Sequence, residues 1–143
     1  VIRLPTEAEW EKAAAWDDGK DGVTPPQHRI WAWGDEWDAA KCNTSEGGVG
    51  TTTPVGKYSP TGDSFYGVVD MTGNVWEWCS DWYGAYQKGG QSNPKGPEAG
   101  RDHVLRGGSW QNPAILCRIK ARFLDAPTHY NSNKGFRVVY SDK

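Results

Sequence analysis

Hydrophobic and polar positions are patterned in only a few stretches of this chain. LPTEAEWEKAAAW, residues 4–16, reads as a helix. Thr6 is a natural N-cap, Glu9 three residues later completes a capping box, and Pro5 can staple against Trp10. The Asp17-Asp18-Gly19 run should end it. Residues 22–56 show little periodicity and read as packed loop, with a brief helix near 37–41. Residues 67–83, GVVDMTGNVWEWCSDWY, are the densest segment, with Trp76, Trp78, Trp82 and Tyr83 around Glu77 and Asp81. Residues 84–102 are rich in Gly, Ser and Pro and read as a mobile loop. Strands are expected at 104–106, 117–123 and 135–140. In 117–123, Cys117, Ile119, Ala121 and Phe123 share one face, and Arg118, Lys120 and Arg122 the other. The plain inference buries the apolar face. No internal repeat is present, and the class predicted is α+β with a large irregular fraction.

Composition explains how such a chain could still pack. Its 143 residues suit one compact domain. Aliphatics are sparse, but nine Trp, six Tyr and three Phe can build a core around irregular backbone. Eighteen Gly and nine Pro favour turns over long elements. A net charge of −2 gives no nucleic-acid footprint. No apolar run reaches the roughly 18 residues of a membrane helix. Cys42, Cys79 and Cys117 form no C-x-x-C motif; they can be one disulfide plus a thiol, or three reduced and partly buried thiols, the reading favoured here.

Candidate chemistry is concentrated in D-M-T-G-N-V-W-E. Asp70, Asn74, Glu77 and Asp81 lie in one loop-rich segment, and two carboxylates flank a Gly turn, a donor pattern open to Ca²⁺. The alternative is that these acids cap turns and accept Trp N–H bonds. His28, His103 and His129 are isolated and show no zinc spacing. No G-x-S-x-G elbow supports a serine triad.

RLPTEAEWEKAA, GTTTPVG, DMTGNVWEWCSDWY, RGGSW and NKGFRVV occur in this order. Together they resemble the formylglycine-generating enzyme (sulfatase-modifying factor) family over nearly the whole chain. That resemblance implies a C-type-lectin-like α+β fold with much irregular structure, as a single domain over 1–143 that lacks the family's N-terminal portion. It implies calcium on Asp70 and Glu77 with the carbonyls of Gly73 and Val75. A second family calcium site would use Asn43 and the carbonyls of Thr44 and Val49, but Gly47 stands at its carboxylate position. The family's copper oxidases use two cysteines five residues apart. Their positions fall on Asn112 and Cys117, with Trp76 and Ser109 at pocket positions. Asn112 supplies neither the charge nor the sulfur of a thiolate, so copper and catalysis are not expected. The related iron enzymes of thiohistidine synthesis use a three-histidine set that is mostly in the portion missing here.

The chain also resembles the variable proteins of diversity-generating retroelements, bacterial proteins that use this scaffold as a display platform. Residues 106–139 keep a frame resembling RGGSW…CR…R…P…GFRVV. Between frame residues such proteins replace adenine-rich codons, typically for Asn. Randomising the adenines of an Asn codon can yield Ile115, Leu116, Ile119, Ala121, Phe123, Leu124, Asp125, Ala126, Thr128, His129 and Tyr130, but neither Gln111 nor Lys120. This resemblance reverses the strand inference. Ile119, Ala121 and Phe123 should face a ligand, while Arg118 and Arg122 point inward to partners such as Glu77 and Asp81. The expected ligand is a protein or other macromolecule, bound through Ile115, Leu116, Ile119, Ala121, Phe123, Leu124, Asp125, Thr128, His129 and Tyr130. The alternatives are an inactive family member with a fixed partner and a copper oxidase acting on sulfatase cysteine. Compartment (cell surface or cytoplasm) and oligomeric state are left open.

Overall fold

The computed structural model describes residues 1–19 and 27–142. Of the loop read for 22–56, residues 22–26 lie outside the described residues. The elements run β1 (Ile2–Arg3), α1 (Glu7–Ala15), β2 (Trp16–Asp17), β3 (Gln27–His28), β4 (Trp76–Trp82), β5 (His103–Arg106), β6 (Arg122–Asp125), β7 (Lys134–Gly135) and β8 (Val139–Tyr140). Single 3₁₀ turns occupy Ala39–Lys41, Ser45–Gly47 and Ala114–Cys117. The α+β expectation holds.

Helix α1 begins where the capping box places it: Thr6 accepts from the Glu9 amide at 3.2 Å, and Glu9 accepts from the Thr6 amide at 2.8 Å. It ends at Ala15, earlier than the Asp-Asp-Gly signal. Trp16 is already extended, because β2 pairs antiparallel with β3 through Trp16↔His28 and Asp17↔Gln27. Tertiary pairing outcompetes another half-turn of helix.

The central sheet has the order β6-β5-β4-β7. β5 runs antiparallel to both β4 and β6, and β7 is parallel to β4. β4 is the Trp-rich segment, which the sequence reading did not identify as a strand. Its buried line is Glu77, Cys79 and Asp81, with Trp78, Ser80 and Trp82 more open. Carboxylates on the inward face invert the usual apolar-in alternation, so the strand signal is masked. The core packs Trp10, Ala14 and Ala15 of α1 against Met71, Cys79, Val104 and Ile119.

The strand expected at 117–123 is instead a 3₁₀ turn, an irregular step and then β6. The Ile119 amide donates to the Ile30 carbonyl at 2.8 Å rather than to a ladder. The strand expected at 135–140 is split: β7 joins the central sheet, and β8 pairs antiparallel with β1.

Candidate functional site

The sequence motifs interlock through backbone hydrogen bonds. In the DMTGN turn, the Gly73 amide donates to the Gly107 carbonyl at 2.8 Å, and Trp110 donates back to the Asn74 carbonyl at 2.9 Å. Two glycines of these interlocked motifs leave no room for a side chain. At Gly73 (φ +76°) a Cβ would lie 2.3 Å from the Asn43 carbonyl oxygen. At Gly108 (φ +74°) it would lie 2.3 Å from Cys117 Sγ. Both also need the left-handed backbone that a side chain disfavours. The Asn112 carbonyl accepts from Ser45, and Glu46 accepts from the Ala114 amide, fixing the start of the C-terminal segment. The Trp76 amide donates to the Asn133 carbonyl at 2.8 Å, fixing its end.

Ion pairs form the second layer of the frame. Arg106 is fully buried, bonded to Glu7 at 2.6 Å, Glu11 at 2.5 Å and the Ile119 carbonyl at 2.6 Å. Arg122 also reaches Glu7, at 2.6 and 2.8 Å, and lies against the rings of Tyr83 and Tyr86. Burial alone would raise the Glu7 carboxyl's pKa. The Arg122 and Arg106 guanidiniums and the Tyr86 hydroxyl outweigh burial and hold it below the usual range. Arg137 forks onto both oxygens of Glu77 at 2.6 Å, and Trp10 Nε1 donates to the same carboxylate at 2.6 Å.

Two expectations about these arginines are corrected. The expected acceptors Glu77 and Asp81 do not hold Arg122; Glu7 does, while Asp81 accepts the Glu7 amide at 2.7 Å. Burial pushes the Asp81 carboxyl up, a shift only partly offset by that amide. Arg118 does not point inward: it is exposed, its Nε bonded to the Ile115 carbonyl at 3.0 Å. Over 117–120 the plain alternation holds, with Cys117 and Ile119 turned in and Arg118 and Lys120 turned out; the Ala121 amide then donates to the Arg118 carbonyl at 2.9 Å, and this turn changes the phase before β6.

That phase also corrects one expected ligand-facing residue. Ile119 is 0% exposed and belongs to the core. The others are placed differently. Ile115, Leu116, Leu124, Thr128 and His129 are exposed, Phe123 is 47% exposed and Tyr130 is 95% exposed. Ala121 and Asp125 are half-buried. The Phe123 ring stacks on Trp76 with centroids 5.3 Å apart. Asp125 closes the following loop, accepting from His129, the Ala126 amide and Lys134 Nζ. Lys134 chiefly, with His129, holds the Asp125 carboxyl down at about 2.

Of the four expected pocket positions, Ser109, Asn112 and Cys117 come together, but without the chemistry of a copper site. Ser109 Oγ donates to Asn112 Oδ1 at 2.6 Å, and Cys117 Sγ lies 3.9 and 3.8 Å from the Ser109 and Asn112 carbonyls. Trp76 is buried under Phe123. Burial, with Cys42 nearby, pushes the Cys117 thiol up to about 12, so it is protonated at neutral pH. A Cu(I) site needs paired thiolates; an amide already bonded to a serine does not fit. All three cysteines are free and buried.

At the expected calcium position, Asp70 (φ +54°), Gly73 (φ +76°) and Asn74 (φ +68°) are left-handed. Asp70 accepts from the Gly56 amide at 2.7 Å. Among the described residues no group of three or more acidic, His or Cys side chains converges. Carboxylate and carbonyl oxygens suit a hard cation, but an ion here would share Glu77 with Arg137.

Sequence reasoning missed Glu7 and Arg106 as a buried pair, and it missed the pairing of Trp31 with Trp37, whose rings lie 5.1 Å apart. The aromatic run HRIWAWGDEW was the available signal for the latter. No helix of the described residues is long and apolar enough to cross a membrane.

Known proteins resemble this chain in sequence and in fold. The sulfatase-modifying factor enzyme 1-like domain matches residues 2–142. The formylglycine-generating enzyme of Streptomyces coelicolor is 39% identical over 155 residues, covering 96% of this chain and 46% of that protein. Among solved structures, Treponema denticola variable protein 1 superposes with a TM-score of 0.80 at 33% identity, over 96% of this chain and 46% of that one. PvdO from Pseudomonas aeruginosa gives 0.69 at 32% identity, over 96% and 51%. The chain thus spans about half or less of the length of these relatives. From the interlocked motifs and these matches together, the chain belongs to the sulfatase-modifying factor enzyme 1-like family.

Proposed function

We propose that this chain is a non-catalytic display domain of a diversity-generating retroelement variable protein, binding a protein ligand through residues 106–139. One observation carries the reading. Ile115, Leu116, Phe123, Leu124 and Tyr130 stand exposed on a segment pinned at both ends by backbone bonds to the motif frame. Exposed aliphatic and aromatic side chains on a rigid support are the physical makings of a binding surface. The structural likeness to a variable protein supports it. The coding locus tests it: an adenine-substituted near-copy of the C-terminal region beside a reverse transcriptase gene is expected, and a complete locus lacking both overturns it.

The likeness to formylglycine-generating enzymes favours a second reading, a copper oxidase acting on cysteine. Tight Cu(I) binding with turnover of a cysteine-containing peptide would put it first. Asn112 and the protonated Cys117 argue for the opposite result.

Calcium is a separate proposal. Asp70 and Glu77, with the carbonyls of Gly73 and Val75, would hold the ion, which would cross-link the turn between Met71 and β4. Chelation should then lower the melting temperature; an unchanged melt counts against the site.

A further inference from the structure

A groove runs beside the exposed segment, between residues 28–37 and residues 114–121. Its volume is about 710 Å³. Trp31, Trp37, Ile115 and Ala121 supply its apolar lining, and Arg118 and Lys120 its charge. The two walls are tied together: Trp31 Nε1 donates to the Ala114 carbonyl at 3.3 Å, and the Ile119 amide to the Ile30 carbonyl at 2.8 Å. The groove is therefore held open by the fold.

Its lining is cationic, while acids stand at its margins: Glu11 lies 3.8 Å from His28, and Lys120 also borders a neighbouring cavity lined by Glu7, Glu11 and Asp81. No Asp or Glu is among the lining residues, although the chain as a whole carries a net charge of −2. Arg29, also in the lining, is neutralised by Asp17 at 2.7 Å. Asp35 and Glu46 bond the Ile30 and Ala114 amides from outside the lining. Arg118 and Lys120 are exposed, and among the described residues neither has a carboxylate in salt-bridge range. The guanidinium of Arg118 is positioned by its Nε bond to the Ile115 carbonyl.

We infer that this groove takes an acidic segment of a protein partner, its carboxylates on Arg118 and Lys120 and an apolar side chain between Trp31, Trp37 and Ile115. Two unpaired cations over an aromatic floor match that chemistry by charge complementarity and burial. The inference rests on the display reading and deepens it, because Ile115 and Ala121 lie on both surfaces. It also assigns a role to Lys120, which adenine replacement of an Asn codon cannot produce: a fixed anchor beside variable neighbours.

The test is panning of a random peptide phage library on the purified chain, followed by fluorescence anisotropy of the enriched peptides. Enriched sequences should combine Asp or Glu with a large apolar residue. Arg118→Glu with Lys120→Glu should weaken them about tenfold or more, with an unchanged melting temperature. Lys-substituted versions of the peptides should bind the double variant better than the parent chain. No enrichment, enrichment without acidic bias, affinity indifferent to the double variant, or tighter binding of a poly-dT oligonucleotide each overturns the inference. Loss of binding in Leu124→Ser with Tyr130→Ser, but not in the Arg118 and Lys120 variant, removes the groove and leaves the display reading standing. The reverse pattern keeps the groove and tells against the Leu124–Tyr130 surface.

Discussion

The helix-and-sheet frame and the segment between Trp110 and Lys134 invert the usual distribution of side chains. In the frame, charges are inside: Glu7, Glu77, Asp81 and Arg106 are all buried, and each is hydrogen-bonded. In the segment, greasy residues are outside: Ile115, Leu116, Phe123, Leu124 and Tyr130 all reach solvent. Partnered charges and Trp packing hold the frame, so the segment is relieved of contributing most of its apolar residues to the core. A surface can then change composition while the support keeps its shape.

Glu7→Ala should break the frame most severely. It takes one of two carboxylates from the fully buried Arg106, leaving Glu11, and removes both of the carboxylate bonds of Arg122. A loss of about 3–5 kcal/mol in denaturant unfolding is expected. A loss below about 1 kcal/mol would mean that the ion-pair network does not hold the frame.

Ile119→Ala comes next and sharpens the boundary, because this residue lies in the segment yet is 0% exposed. It should cost about 2–4 kcal/mol, as core truncations do. A neutral outcome would return Ile119 to the ligand-facing set.

The acid response of the loop closed by Asp125 should be smaller and local. Its carboxyl lies at about 2, held down by Lys134, against about 3.9 unfolded. A depressed folded value stabilises above the unfolded pKa, and that contribution is lost as pH falls through about 2. Carboxyl titration by NMR should therefore place Asp125 near 2, and Asp125→Asn should loosen residues 126–134 at neutral pH, read by amide exchange. A titration near 4 would mean that the Lys134 contact does not persist in solution.

Tyr130→Ser should matter least to folding. The side chain is 95% exposed, and a change within about 0.5 kcal/mol is expected. A large loss would mean that the segment supports the frame after all.

The legible parts of this molecule were the local ones. Thr6 and Glu9 announced α1, because a capping box closes within four residues. The RGGSW motif was visible as sequence, but that Gly108 sits where a Cβ would strike Cys117 was shown only by the fold. The 117–123 strand failed because alternation fixes a phase only within continuous strand, and a turn closed by the Ala121 amide on the Arg118 carbonyl intervenes. β4 escaped notice because its inward line is acidic, and only bonds from other elements make such burial tolerable.

By itself, then, the sequence determined the start of the helix, the aromatic and turn-rich class and the motif order that marks the family. Tertiary structure alone decided which arginine meets which acid and which apolar residues face out. The reason is distance along the chain. Glu7 meets Arg106 from 99 residues away and Arg122 from 115. A charge whose partner lies that far off looks, in one dimension, like any solvated charge, and only the folded chain shows that it has been buried and paired.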